Sequence, residues 1–365
     1  VKLKQLQLAT FRNYDTLDLD LHDNTIIFLG NNAQGKTSIL ESIYVLAFTK
    51  SHKTYKDTDI IQNGAEFAKI NAVIDLKDGD KEMGIIISKL GKKAKYNRVE
   101  LDRLSEYIGR LNVVMFAPED LDLIKGNPKE RRKFLDIEIG QVDKEYLYHL
   151  QQYKKVLKQR NDLLKTMQKH KDDNYLLLDV ITDQLIDYQT PLIRMRKAFL
   201  KDVSQYAQRH YQALSGRDDD LAIAYAPSLT NNPKQEYTTK YQYDVITGTT
   251  NQGIHRDDIE FILNDQPLKT YGSQGEQRTA VLAVKLALID FIKERRGEYP
   301  ILLLDDVLSE LDVSRQNNLL EYINDDIQTL ITTTDITDIN LDKLNHYRIY
   351  EVINGHAKES ESHGA

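Results

Sequence analysis

Lys36 and Thr37 close the run Gly30-Asn31-Asn32-Ala33-Gln34-Gly35-Lys36-Thr37, with Ser38 following, and Asp305 and Asp306 end the apolar run Ile301–Leu304. A lysine and a hydroxyl behind a glycine-bounded loop, paired with carboxylates at the end of a second apolar run, suit the handling of a nucleoside triphosphate and its Mg²⁺. The first stretch fits G-x-x-x-x-G-K-[ST], whose backbone N–H groups wrap phosphates. In this reading Gly30, Asn31, Asn32, Ala33, Gln34, Gly35 and Ser38 contribute to the nucleotide cradle. Lys36 reaches the β- and γ-phosphates of ATP, and Thr37 holds Mg²⁺. Asp305 binds the metal directly or through water, and Asp306 orients or deprotonates the attacking water.

Such chemistry needs particular elements around it. Thr25–Leu29 is a short β-branched and aromatic run that reads as a buried strand. Ile39, Leu40, Ile43, Tyr44, Leu46 and Ala47 recur at helical spacing, so a helix begins near Lys36. Glycines let the backbone approach the ligand, and the orphan N–H groups of the helix start favour anions. A glycine turn matching by accident would lack this strand and helix. Ile301–Leu304 likewise reads as a buried strand; alone, its Asp-Asp end would suit a capped turn equally well.

A second helix start stands far along the chain, at Ser273-Gln274-Gly275-Glu276-Gln277, ahead of the periodic segment Thr279–Ile292. It is another anion-favouring terminus. It is also a capping box, with Ser273 as cap and Glu276 three residues on. The two readings are compatible.

The Ser273 segment resembles the signature loop of ABC-type ATPases, and Ser309-Glu310-Leu311-Asp312 resembles their D-loop. The resemblance sharpens with Arg12-Asn13-Tyr14, Ser51-His52-Lys53-Thr54, Phe116–Leu121, Lys125–Pro128, Arg131–Asp136 and Gly253–Asp258. In this order, from one end to the other, these blocks resemble the RecF family of bacterial recombination-repair ATPases. The resemblance implies an α/β ABC-type P-loop ATPase head with an inserted compact α-helical lobe, related to SMC proteins without a long coiled coil. It also implies an ATP-dependent homodimer on double-stranded and gapped DNA. Ser273–Gln277 would complete the partner's nucleotide site, and Ser309–Asp312 would cross the dimer interface. Slow, DNA-stimulated hydrolysis and work with RecO and RecR to load RecA at single-strand gaps are implied too. Ile254 stands where the family pattern suggests Pro, and Lys53 where Arg is usual. Asp306 stands where most ABC ATPases have Glu; its shorter arm fits slow turnover.

Composition agrees. The 365 residues contain no Cys and no Trp, so disulfides are excluded. Charged residues make up 29%, mean hydropathy is −0.52, and no apolar run approaches the ~20 residues that cross a bilayer. No secretory signal is visible, so a cytoplasmic location and no membrane partner are expected. Net charge is −7, but its distribution matters more than its sum. Lys89, Lys92, Lys93, Lys95 and Arg98 gather without an acid around a hairpin tip at Gly91. Lys129, Arg131, Arg132 and Lys133 cluster at a helix start. Lys154, Lys155, Lys158, Arg160, Lys165, Lys169 and Lys171 follow along a helical stretch whose one acid is Asp162. A basic stretch is usually a solvated face; with the family resemblance, Lys92, Lys93, Lys95, Arg98, Arg131 and Arg132 are the DNA-contact candidates, facing phosphates.

The expected organisation is an N-terminal ATPase half over 1–120, a helical lobe over 121–238 and a C-terminal ATPase half over 239–365. Pro128 to His210 reads as strongly helical, turning at Asp172-Asp173-Asn174. Ser215–Lys240 reads as a polar return, Tyr241–Thr247 as a candidate strand and Lys358–Ala365 as a disordered tail. His255, Asp257 and Asp258 are too close together for one closed metal site. They read either as an ion-paired turn or as part of the dimer interface. Ser51–Thr54 suits a phosphate or nucleobase contact and a structural turn equally. An ABC-type subunit serving a transporter or other protein is the competing function. A simple P-loop kinase or GTPase leaves Ser273–Gln277 unexplained, and no Asn-Lys-x-Asp guanine motif is present.

Overall fold

Apolar runs ending in glycine or aspartate become strands, and longer segments of helical period become helices. In chain order the first 120 residues hold β1 (Lys2–Phe11), β2 (Tyr14–Asp20), β3 (Thr25–Leu29), α1 (Lys36–Phe48), β4 (Phe67–Leu76), β5 (Gly79–Ser88), β6 (Gly91–Tyr96), β7 (Val99–Leu101), α2 (Leu104–Tyr107) and β8 (Val113–Phe116). There follow α3 (Asp122–Lys125), α4 (Pro128–Gly140), α5 (Lys144–His170), α6 (Tyr175–Ser215), β9 (Leu221–Ala226), α7 (Pro233–Thr239), α8 (Tyr241–Thr247), β10 (Asp258–Leu263), β11 (Gln266–Pro267) and α9 (Leu268–Tyr271). The chain ends with α10 (Gln274–Arg296), β12 (Ile301–Asp305), α11 (Val313–Tyr322), β13 (Thr329–Thr333), β14 (Tyr347–Ile353) and β15 (His356–Glu359). The structure, a computed structural model, describes residues 1–171, 173–230, 232–323, 326–344 and 346–360.

The chain divides into two compact units. The first comprises Val1–Asp120, Ala213–Gly216 and Lys285–Ala365; the second comprises Leu121–Gln212 and Arg217–Val284.

The first unit contains two sheets. One is antiparallel, in the order β2-β1-β4-β5-β6-β7, and its strands alternate buried and exposed residues as a one-sided sheet does. The other runs β15-β14-β3-β13-β12-β8. It is parallel except for β15, and β3, β12 and β13 are buried almost throughout, as strands covered on both faces must be. In its register Leu29 faces Thr333 and Asp305 faces Thr332. The ends of β3 and β12 therefore lie at the same carboxyl edge, one strand apart, where open α/β sheets bind ligands.

The second unit is built on α4, α5 and α6, with β9, β10 and β11 as a small antiparallel sheet. Asp143 caps α5 by accepting from the Tyr146 N–H at 3.0 Å. α6 runs unbroken past Pro191.

Several expectations change here. Tyr241–Thr247 is a helix: Tyr241 and Asp244 turn inward at a three-residue spacing, and Asp244 pairs with Arg160 of α5 at 2.9 Å. Ser215–Lys240 contains β9, which pairs along β10 from Leu221–Leu263 to Ala226–Asp258. Where 238 was expected to end the helical lobe, the second compact unit runs on to Val284, within α10, and so includes Ser273. Lys358 and Glu359, placed in a tail by sequence, pair in β15 with Glu351 and Tyr350. Residues 361–365 and Asp172 of the expected turn lie outside the described residues.

Candidate nucleotide site

The loop after β3 is fixed from several sides. Gly35 takes φ +116°, a left-handed conformation that side chains resist. A Cβ there would lie 2.6 Å from Asn13 Nδ2 and 2.7 Å from the Tyr14 hydroxyl. Those two residues hold the loop: Asn13 Nδ2 donates to the Gln34 carbonyl at 3.2 Å, and the Tyr14 hydroxyl donates to the Gly35 carbonyl at 3.1 Å. From β14 and its turn, the Asn354 N–H donates to Gln34 Oε1 at 2.6 Å, and the Gly355 N–H donates to the Gln34 carbonyl at 3.1 Å. Gly30 is equally constrained, since a Cβ would fall 2.4 Å from the Val352 carbonyl oxygen. Asn13 and Tyr14 entered the sequence reading only as family markers. Their role in bracing the loop follows from the fold.

Within this frame Lys36 points back into its own loop. Its Nζ donates to the carbonyls of Gly30 at 2.5 Å and Asn31 at 3.0 Å. Burial lowers the Lys36 ammonium below its usual value, against the opposing pull of Asp306 and Asp305. The Thr37 hydroxyl donates to Asp305 Oδ1 at 2.8 Å, and the Thr332 hydroxyl donates to the same oxygen at 2.9 Å. Thr332 also accepts from the Asp306 N–H at 2.9 Å, so one β13 hydroxyl fixes both acidic positions. Asp306 has φ +55°, a conformation that Asp tolerates better than most residues. Asn13, Asn32, Ala33, Gly35, Lys36, Thr37, Ser38, Asp306 and Thr332 line one cleft of about 270 Å³, together with Lys53.

Lys53 reaches this cleft by a separate route. Its Nζ lies 3.7 Å from Asp305 Oδ2. The loop that carries it is set by Ser51, whose hydroxyl donates to Glu41 Oε1 at 2.5 Å and accepts from the N–H groups of Lys53 and Thr54. Glu41, buried on α1, is gripped by Arg12 through Nε at 2.8 Å and Nη2 at 2.5 Å. The Ser51–Thr54 block is thus a structural turn that brings the Lys53 ammonium to the same cleft.

These groups fit the ligands the motifs imply. Thr37 and Asp305 present hard oxygens side by side, which suits Mg²⁺ completed by phosphate oxygens and water. No group of three or more metal-binding side chains occurs among the described residues. Lys36, satisfied only by loop carbonyls, can exchange them for phosphate oxygens.

The remaining candidates lie elsewhere. In the second unit Ser273 and Glu276 form the capping box: the Ser273 hydroxyl and N–H each donate to Glu276 Oε2 at 2.8 Å. Ser273 and Gln274 are exposed, and Gly275 is half-buried. Gln277 is turned inward, its Nε2 donating to the Leu268 carbonyl at 3.0 Å and the Gly272 carbonyl at 3.2 Å, so it holds the turn rather than facing outward with the rest of the motif. In the first unit the Ser309 hydroxyl donates to the Asp306 carbonyl at 2.9 Å, and Asp312 caps α11 through the Arg315 N–H at 2.9 Å. The Leu311 N–H closes a turn onto the Leu308 carbonyl at 3.2 Å. The Glu310 side chain lies outside what is described.

The DNA-contact candidates are mostly committed within the protein. Lys92 is nearly buried, bonded to Asp57 at 2.6 Å and to the Thr49 carbonyl at 2.5 Å. Arg131 is buried and paired with Asp258 through Nε at 2.6 Å and Nη2 at 2.9 Å. Burial opposes the Asp258 charge, yet Arg131 prevails and holds that carboxyl below the usual range. Arg132 donates to the Asp257 carbonyl at 2.8 Å. Lys93 pairs with Glu100 at 2.9 Å and Arg98 with Glu82 at 2.6 Å; Lys95 is exposed beside them. Lys92 and Arg131, expected to face phosphates, thus each complete an internal ion pair.

The His255 block is also internal. His255 Nε2 donates to the Thr250 carbonyl at 3.0 Å, and Nδ1 shares a hydrogen bond with the Tyr153 hydroxyl at 2.7 Å. Burial pushes its pKa down to about 4. Asp257 accepts from the Tyr225 hydroxyl and the Ser228 N–H. Of this block only Arg256 is exposed.

The chain matches known proteins over nearly its whole length. Residues 2–358 match the family described as RecF/RecN/SMC N terminal domain. The chain is 43% identical to the DNA replication and repair protein RecF of Oceanobacillus iheyensis, covering 97% of this chain and 99% of that one. It is 46% identical to the protein of the same description from Enterococcus faecalis, over 94% and 95%. A solved structure of the recombination mediator protein RecF with ATP superposes with a TM-score of 0.91 at 29% identity, over 98% and 97% of the two chains. The Smc head domain of Pyrococcus furiosus shares the fold at a TM-score of 0.57 and 17% identity.

Proposed function

The chain belongs to the RecF family, and from that premise we propose that it is an ATP-gated DNA-binding protein of recombinational repair and replication restart. It is an ATPase of the ABC type. Its DNA-stimulated turnover is slow, so that nucleotide acts mainly as a switch. The observation that carries the proposal is the Thr37–Asp305 hydrogen bond at 2.8 Å, which joins the two halves of a P-loop ATPase site in the cleft that Lys36 and Lys53 line. The curated relatives, described as DNA replication and repair proteins, favour this reading over a transporter subunit.

In the mechanism, the loop N–H groups and Lys36 bind and orient the triphosphate. Thr37 and Asp305 would hold Mg²⁺, which would supply positive charge to offset that of the phosphates. Asp306 positions the attacking water and accepts its proton. Lys53, held by the Arg12–Glu41–Ser51 chain, adds positive charge on the Asp305 side. Closure comes from a second copy: its exposed Ser273 and Gln274, at the start of α10, complete the nucleotide site in trans with Gly275 and Glu276, while Ser309–Asp312 lies at the dimer interface. The dimer closes on double-stranded and gapped DNA, and RecO and RecR use it to direct RecA to the gap.

The test is fluorescence anisotropy of a labelled gapped duplex, with and without Mg-ATP, at two salt concentrations. Binding that tightens with ATP and weakens with salt is expected. Binding indifferent to ATP overturns the gating, and absence of binding overturns the DNA reading.

A further inference from the structure

α5 bears two parallel stripes. The inward one, Tyr146, Leu150, Tyr153, Val156, Arg160, Leu164 and Met167, is buried and advances in three- or four-residue steps, as a packed helix face does. On the opposite side Lys155, Lys158, Lys165 and Lys169 are all exposed. Their steps of three, seven and four residues place them on one face. Asp162 is the acid on that stripe; Glu145, the helix's other acid, is at its start beside His149.

These lysines differ from most of the basic residues described above. Lys92, Lys93, Arg98 and Arg131 each have a carboxylate partner within 4 Å. None of Lys155, Lys158, Lys165 and Lys169 has an ion pair among the described residues, whereas Lys154, on the flank, is paired with Asp136. A cation already neutralised by a protein carboxylate gains little from a phosphate; a solvated one can displace the counterions condensed on DNA.

We infer that this α5 stripe is the surface that holds the DNA backbone, each lysine facing a phosphate. The inference rests on the DNA-binding reading above and locates it. From Lys155 to Lys169 the helix rises about 21 Å, roughly the axial length of six base pairs. Lysine, a point charge on a flexible stem, suits phosphates rather than base edges. The intervening exposed positions are polar (Gln159, Asp162, Thr166), and protein–protein interfaces are instead depleted in lysine and rich in aromatic anchors.

The experiment uses the full chain with Lys155, Lys158, Lys165 and Lys169 all changed to Gln, a second variant with all four changed to Arg, and the labelled gapped duplex in Mg-ATP across a salt series. ATP binding is measured on each protein as a check on the head. For the Gln variant the expected results are affinity lower on the order of tenfold or more and a log K against log salt slope shallower by about 3–4. The Arg variant should keep both. A Gln variant with the unaltered slope overturns the stripe while leaving DNA binding intact, as does an affinity loss without a slope change. An Arg variant that fails like the Gln variant overturns the role of charge. A wild-type chain that does not bind the duplex overturns the functional reading and this inference with it.

Discussion

The Thr37 hydroxyl donates to Asp305 Oδ1 at 2.8 Å, although 268 residues separate them in the chain. β13 makes the meeting possible: it lies between β3 and β12, and its Thr332 donates to the same carboxylate oxygen. This carboxyl edge of the sheet is therefore organised by three adjacent strand ends.

Changing Asp305 to Asn should lower ATP turnover by a factor on the order of 10²–10³, because the metal loses its charged protein ligand. Nucleotide affinity should fall with Mg²⁺ present and change little in EDTA. Steady-state ATPase rates and titration of a fluorescent nucleotide read both. Equal affinity loss with and without Mg²⁺ would count against a metal role for Asp305.

Ser273→Arg places a long cation at the exposed start of α10 while leaving the P-loop untouched. ATP binding should persist, with ATP-dependent dimerisation and turnover lost. Analytical ultracentrifugation with and without Mg-ATP distinguishes the outcomes; a variant that still dimerises removes the trans role.

Acid should destabilise the second unit through His255. Burial depresses its pKa from 6.5 to about 4, so between those values the unfolded chain binds the proton and the folded chain does not. Stability from this group is complete above pH 6.5, falls as pH drops toward 4, and levels off below. The full loss is about 3 kcal/mol. Urea midpoints from pH 7 to 4 should show it, and His255→Gln should flatten that part of the profile. An unchanged slope in the variant would assign the acid sensitivity to other groups.

Arg160 and Asp244 are both fully buried and lie 2.9 Å apart. Arg160 also donates to the hydroxyls of Thr182 and Thr250 at 3.0 and 2.7 Å. Arg160→Met strands the Asp244 charge and should cost about 3–5 kcal/mol. Pairing it with Asp244→Asn should recover part of the loss, as a double-mutant cycle in urea would measure.

The strand and helix around Gly30–Thr37 were legible because their determinants are local: an apolar β-branched run gives β3 and a helical period gives α1. The capping box at Ser273–Glu276 was legible for the same reason. The loop between β3 and α1 is braced by Asn13, Tyr14, Asn354 and Gly355, which only the fold brings to it. Tyr241–Thr247 was misread because a seven-residue segment alternating aromatic and polar types fits either period; Asp244 had to meet Arg160 of α5 for the helix to be evident. Gln277 looked like part of an exposed motif, yet a position one helical step further turns its amide into the protein.

By itself the sequence determined which groups are available: a phosphate loop, two terminal carboxylates, a second helix start and an excess of lysine along one helix. Tertiary structure decided how they are used. It brought Thr332 and Lys53 to the Asp305 carboxylate, paired β9 with β10, and paired Lys92 and Arg131 while leaving the α5 lysines in solvent. The reason is physical. A residue's charge is written in its type, but whether that charge is spent on a neighbour depends on distances of a few ångströms that only the folded chain sets.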